Sequence, residues 1–93
     1  MAFRVLELYR KADDLAGVAQ MYGNLGNLYM AKKQNQTAEE MYLDALEINL
    51  DIDREEGLLA NYTNLGNLYR SVGDMHSALK MGTEALELAI QRE

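Results

Sequence analysis

The sequence predicts an all-α fold made of antiparallel helix-turn-helix repeats stacked on one another. Three observations predict it. Tyr22-Gly-Asn-Leu-Gly-Asn-Leu-Tyr29 returns as Tyr62-Thr-Asn-Leu-Gly-Asn-Leu-Tyr69, a shift of 40 residues. A near-copy at such a spacing marks a repeat architecture, in which each unit buries its apolar face against the next. The chain has no proline and is rich in Ala, Leu, Glu and Met, so long unbroken helices are permitted. Apolar residues also recur at three- and four-residue steps, the spacing of a buried helical face.

More lines up under the same shift. Gly17 falls on Gly57, Ala38 on Ala78, Met41 on Met81, and Ala45-Leu-Glu47 on Ala85-Leu-Glu87. Val5-Leu-Glu-Leu8 is a third copy of that last segment. The chain is therefore expected to be one domain, 1–93, divided into a half-repeat 1–12 and repeats 13–52 and 53–93. About five helices of two kinds, A and B, should alternate.

The first B helix should run from about Ala2 to Lys11. Asp13 or Asp14 should cap the first A helix, with Val18, Met21/Tyr22, Leu25 and Leu28/Tyr29 forming its stripe to about Ala31. Lys32-Lys-Gln-Asn35 reads as a polar turn, after which Gln36 or Thr37 opens the second B helix. Its stripe is Ala38, Met41/Tyr42, Ala45/Leu46 and Leu50. Asp51-Ile-Asp53 is the next turn, with Asp53 as the expected cap of a second A helix over about Arg54 to Val72. Gly73 suits the left-handed position that ends a helix, and Asp74 should cap the last B helix, from about Met75 to Arg92. Turns this short force neighbouring helices to pack antiparallel. Gly26 and Gly66 fall in mid-helix, where each costs about 1 kcal/mol relative to Ala. A neighbour packed where a Cβ would stand explains them, and Ala38 and Ala78 are the small residues that would permit the approach.

Composition excludes several functions. Nine basic against fifteen acidic residues give a net charge of −6, which disfavours nucleic acid and anionic membranes as partners. No apolar run approaches the ~20 residues of a membrane span. The amphipathic start is not a signal peptide, so the sequons Asn35-Gln-Thr37 and Asn61-Tyr-Thr63 read as chance matches and the expected location is the cytoplasm. The absence of cysteine is compatible with a reducing compartment. A lone histidine, His76, makes neither a zinc site nor a nucleophile pair. Asp51-Ile-Asp-Arg-Glu-Glu-Gly57 lacks the sixth-place glycine of a calcium loop, and Tyr62 stands where the bidentate Glu is required. Gly-Asn-Leu-Gly lies inside a helix and offers no free N–H groups to a phosphate. The chain is expected to be no enzyme and to need no cofactor or metal.

Tyr22, Leu25, Gly26, Tyr29, Ala38, Tyr42 and Ala45 together resemble the tetratricopeptide repeat (TPR). The second copy supplies Tyr62, Leu65, Gly66, Tyr69, Ala78 and Ala85, with Gly82 where the family has an aromatic residue. Leu50 and Ile90 replace the family's closing proline. The 40-residue period exceeds the usual ~34 and, with Asn-Leu-Gly-Asn, is similar to the long repeats of polarity adaptors and kinesin light chains. The resemblance implies a short right-handed solenoid acting as a non-catalytic protein-interaction scaffold.

Carried over residue by residue, the resemblance implies a concave groove on the A helices at Gln20, Asn24 and Asn27, then Asn64 and Asn67, with Arg70 near its edge. Gly23, Ala31, Thr63 and Ser71 share that face. Asparagine suits the task because its amide offers an acceptor and two donors to any peptide backbone. The alternative is that these amides are solvated or tie the A helices together. The clamp that other members use for a C-terminal acidic motif needs basic residues, and Gly23 and Thr63 occupy that position. Glu39, Glu40, Asp44, Glu47, Glu84 and Glu87 read as a solvated outer face, or as a patch for a basic partner.

The array stops early. Leu79, Met81, Leu86, Leu88 and Ile90 lie on a last helix with no A helix after it. Two outcomes are expected: the helix pairs with another copy, in a homodimer or a swapped arrangement, or the chain is a piece of a longer array.

Overall fold

The computed structural model describes residues 14–91. They form four α-helices: α1 (Leu15–Ala31), α2 (Asn35–Asp51), α3 (Glu55–Ser71) and α4 (Met75–Gln91). The B helix expected over residues 2–11 lies outside the described residues. Each helix is 17 residues long, and each begins twenty residues after the one before, at 15, 35, 55 and 75. The A and B helices are thus equal in length, and the 40-residue repeat consists of two equal halves.

Three-residue turns set this spacing. Lys33, Asp53 and Gly73 adopt the left-handed conformation, with φ of 63°, 53° and 86°. The residue after each donates its N–H back to the carbonyl five residues earlier: Gln34 to Tyr29, Arg54 to Asn49 and Asp74 to Tyr69. The left-handed residue itself donates to the carbonyl three earlier, as Lys33 does to Met30. This is the Schellman closure, which satisfies carbonyls that a helix end leaves orphaned.

Two sequence expectations about the ends are corrected. Asp53 does not cap α3. It occupies the left-handed middle of its turn, which Asp tolerates better than most residues, and Arg54 stands at the cap. α2 opens at Asn35, not Gln36 or Thr37, because the spacing of the turn fixes its start. Asp74 does behave as expected, its Oδ1 accepting the N–H of Ser77 at 3.1 Å. Hydrogen bonding from the Ser77 side chain, and then from its backbone N–H, holds the Asp74 carboxyl below the usual range. Asp14 occupies the cap position of α1 without a side-chain capping bond.

α1 packs on α2, α2 on α3 and α3 on α4, and α1 also touches α3. Among the described residues α2 and α4 make no contact. The core has two parts. Val18, Ala19 and Tyr22 of α1 meet Ala45 and Ile48 of α2. Ala38 and Tyr42 of α2 meet Leu65 and Leu68 of α3. α2 and α3, each packed between two neighbours, supply five buried positions apiece, whereas α4 has no fully buried residue. Leu50, expected in the stripe, is exposed. Glu39, expected on the solvated outer face, is half-buried and accepts the Tyr69 hydroxyl proton at 2.7 Å.

Gly26 has a specific cause. A Cβ there would lie 2.5 Å from the ring of Tyr42, so the ring occupies the space a side chain would need. Tyr42 is thus the neighbour packed where the Cβ would stand. Gly66 is different, because Gly82 stands where the ring would come from; its nearest neighbours are Met81 Cβ at 3.6 Å and the Ala78 carbonyl at 3.8 Å.

Two outcomes are expected. Gly26→Ala should destabilise by about 1–3 kcal/mol through overpacking, whereas Gly66→Ala should be neutral or stabilise by up to about 1 kcal/mol through helix propensity. Urea unfolding of the two variants checks this, and equal effects would contradict it. Tyr69→Phe should cost about 1–2 kcal/mol through loss of the bond to Glu39. Burial first, and then that bond and its charge, push the Tyr69 hydroxyl from 10.0 up to about 12. Because the folded chain holds this proton more tightly than the unfolded chain, the contribution is complete below pH 10 and is lost as pH rises through about 12. A stability-versus-pH curve should fall less steeply over that window in Tyr69→Phe than in the wild type.

Candidate functional site

Helical periodicity aims one face of α1 and one face of α3 at each other. Gln20, Asn24 and Asn27 lie one turn apart on α1, and Ala60 and Asn64 do so on α3. Between the helices is a cleft of about 230 Å³, lined by these residues with Ala19 and Gly23, and with Arg54, Glu56 and Gly57 toward the start of α3. The small residues Ala19, Gly23, Gly57 and Ala60 leave the space, and the amides supply its polar groups.

The floor is a pair that sequence reasoning missed. Asn49 of α2 and Asn61 of α3 are both buried, and Asn49 Nδ2 donates to Asn61 Oδ1 at 2.6 Å. Among the described residues Asn49 Oδ1 has no partner. A Cβ on Gly57 would lie 2.5 Å from the Asn49 side chain, so that glycine makes room for the pair. A signal existed: each asparagine interrupts an apolar stripe, Asn49 on the face of Ala38, Tyr42 and Ala45, and Asn61 on that of Leu58, Leu65 and Leu68. An amide in such a stripe needs a buried partner, and here each is the other's. Burial of Asn61 inside a helix also fits the reading of its sequon as a chance match.

The cleft gathers Gln20, Asn24, Asn27 and Asn64 but not the other two expected site residues. Asn67 and Arg70 line a separate depression of about 200 Å³ between α3 and α4, with Tyr62, Gly66, Ala78 and Gly82. This is the space that lacks a counterpart of the Tyr42 ring.

The amides are not equivalent. Asn27 Oδ1 accepts the Tyr42 hydroxyl proton, and Met30 Sδ lies 3.8 Å from the same hydroxyl. Burial raises the Tyr42 hydroxyl above its ordinary value. Asn67 Oδ1 accepts instead from Arg70 Nη2. Where the second repeat loses the aromatic hydroxyl it gains an arginine at the place of Met30, and the asparagine carbonyl stays engaged. Asn27 and Asn67 therefore take part in the internal bonding, contrary to a purely outward role, and keep their N–H donors. Asn24 and Asn64 have both donor and acceptor uncommitted among the described residues.

The cleft can offer hydrogen bonds in both directions, with an arginine and a glutamate at one end. Among the described residues no group of His, Asp and Glu is arranged to hold a metal ion, and no helix is long and apolar enough to cross a membrane.

No curated protein and no solved structure matches the chain significantly. The family model of the tetratricopeptide repeat matches residues 17–91, from the start of α1 to the end of α4. The equal antiparallel helices, the ring of Tyr42 against Gly26 and this match agree, and the chain belongs to the tetratricopeptide-repeat family, whose repeats are generally non-catalytic protein-interaction modules.

Proposed function

We propose that the chain is a short right-handed solenoid that binds an extended peptide segment along the cleft between α1 and α3. The observation that carries this reading is the convergence of Gln20, Asn24, Asn27 and Asn64 on one cleft. Amides at one-turn spacing match the alternating N–H and C=O groups of an extended main chain, so recognition rests mainly on the peptide backbone rather than on its side chains. Asn67 and Arg70 continue the track onto the neighbouring depression and bring a positive charge to it.

The other reading, self-association through the last helix, draws on a different surface. Leu79, Leu86 and Ile90 of α4 are exposed. The two readings are compatible, because the cleft does not include α4.

Asn24→Ala combined with Asn64→Ala is the test, since neither side chain supports the fold through a hydrogen bond among the described residues. Against a peptide selected from a display library on the wild-type chain, the double variant should lose about 1–3 kcal/mol, roughly ten- to a hundredfold in affinity, with unchanged helicity. Titration calorimetry reads it, and equal affinity would refute the groove reading.

A further inference from the structure

The two ends of the described array carry the two halves of a joint that the chain already makes once, between α2 and α3. The 40-residue shift maps α2 onto α4 and α1 onto α3. The face of α2 that α3 covers therefore has its counterpart on α4, and the face of α3 that meets α2 has its counterpart on α1. Among the described residues both counterparts are open. Leu68 is 2% exposed against α2, while Leu28, its equivalent on α1, is 50% exposed. Leu46 is half-buried in the second core, while Leu86, its equivalent on α4, is 61% exposed.

At the place of the buried amides the two open faces differ from the internal joint in a matched way, although Gly82 stands where α2 has Tyr42. Inside the chain the joint buries Asn49 against Asn61. The equivalents are Ala89 on α4 and Met21 on α1, both uncovered. Had only one asparagine been replaced, closing the joint would bury an unpaired amide. Both are replaced, by one smaller and one larger apolar residue. Gly17 keeps the glycine of Gly57, but nothing lies within 4 Å of where its Cβ would be, whereas Asn49 fills that space at Gly57. A cavity of about 320 Å³ beside Asp14, Gly17, Val18 and Met21 is left there.

We infer that copies of this chain associate head to tail, α4 of one copy receiving α1 of the next as α2 receives α3. This rests on the self-association reading and specifies it: the contact is heterologous, so each added copy leaves one end of each kind free for another and the mass grows with concentration. A two-fold pairing of α4 with α4 would leave α1 uncovered and the Met21–Ala89 match unexplained. Residues 1–13 of the same molecule would compete for the face on α1.

Sedimentation equilibrium of the wild type and of two charge variants tests the proposal. Met21→Lys disables the α1 end and Leu79→Lys the α4 end; both positions are exposed, and far-UV circular dichroism checks that the helices remain. The wild-type mass should rise with concentration past two chains. Each variant alone should lose that rise and stay at one chain. Mixed in equal amounts, the two should form pairs and nothing larger, since one intact end of each kind remains. A wild-type mass fixed at one chain overturns the proposal, including the case in which residues 1–13 hold α1. So does loss of association in Leu79→Lys alone with Met21→Lys unaffected, the signature of α4 pairing with α4, and so does a mixture that stays at one chain. Asn24→Ala with Asn64→Ala should leave the mass series unchanged, so failure of the groove reading and failure of this one are distinguishable.

Discussion

The seating of the Tyr42 ring is the contact on which the rest of this structure depends. Tyr42 is almost completely buried in α2, which packs between α1 and α3. Its ring occupies the space beside Gly26 on α1, and it shares a core with Leu65 and Leu68 of α3. One side chain thereby sets the approach of α1 to α2 and helps join that pair to α3. Its hydroxyl fixes the carbonyl of Asn27 at the rim of the cleft. Core and candidate site are therefore coupled through one residue: packing on the ring face and orientation of a cleft amide at the hydroxyl.

Where this contact is missing, its consequences are missing too. Gly82 replaces the aromatic residue in the second repeat, and α4 has no fully buried position. The space beside Gly66 opens into a depression. Arg70 then supplies the donor that the absent hydroxyl would have given to the asparagine of that repeat. The two copies keep the same hydrogen bonding at this asparagine although the residue providing the bond has changed. The helix that lacks the ring is also the one held on a single face.

Much of this was legible in the sequence, and the boundary of legibility has physical causes. The repeat, the helices and the stripe residues Val18, Tyr22, Ala38 and Ala45 follow from local periodicity, which the tertiary structure reinforces. Gly73 and Asp74 followed from turn chemistry. Asp53 did not, because aspartate serves equally as a cap and as a left-handed residue, and only the twenty-residue spacing decides between them. The groove amides Gln20, Asn24, Asn27 and Asn64 were legible as a face of α1 and of α3. Their separation from Asn67 and Arg70 was not, since it depends on how closely α4 meets α3 without a ring at Gly82. Asn49 and Asn61 were readable in principle as amides set in apolar stripes, but their pairing joins two helices and no single stripe contains it. Glu39 looked like one more acid on an outer face because its partner, Tyr69, is thirty residues away.

The two proposed surfaces, cleft and ends, are geometrically linked. The cleft exists because α1 and α3 lie side by side, each seated on α2. If α1 of a second copy sat on α4 as α3 sits on α2, it would flank α3 in the same way, and a second cleft would open between them. Its walls would carry Asn64 and Asn67 from one copy and Gln20 and Asn24 from the next. Its floor would be Ala89 instead of Asn49, so the new cleft would keep amides on both sides while lacking the buried polar pair beneath. Association would thus lengthen the track available to an extended peptide without any new kind of contact. A peptide long enough to span both clefts would bridge two copies and favour their joining, while a short one would not. If both proposals hold, peptide length and assembly are coupled, because the helix that would complete the end of one copy is the same helix that would form the wall of the next groove.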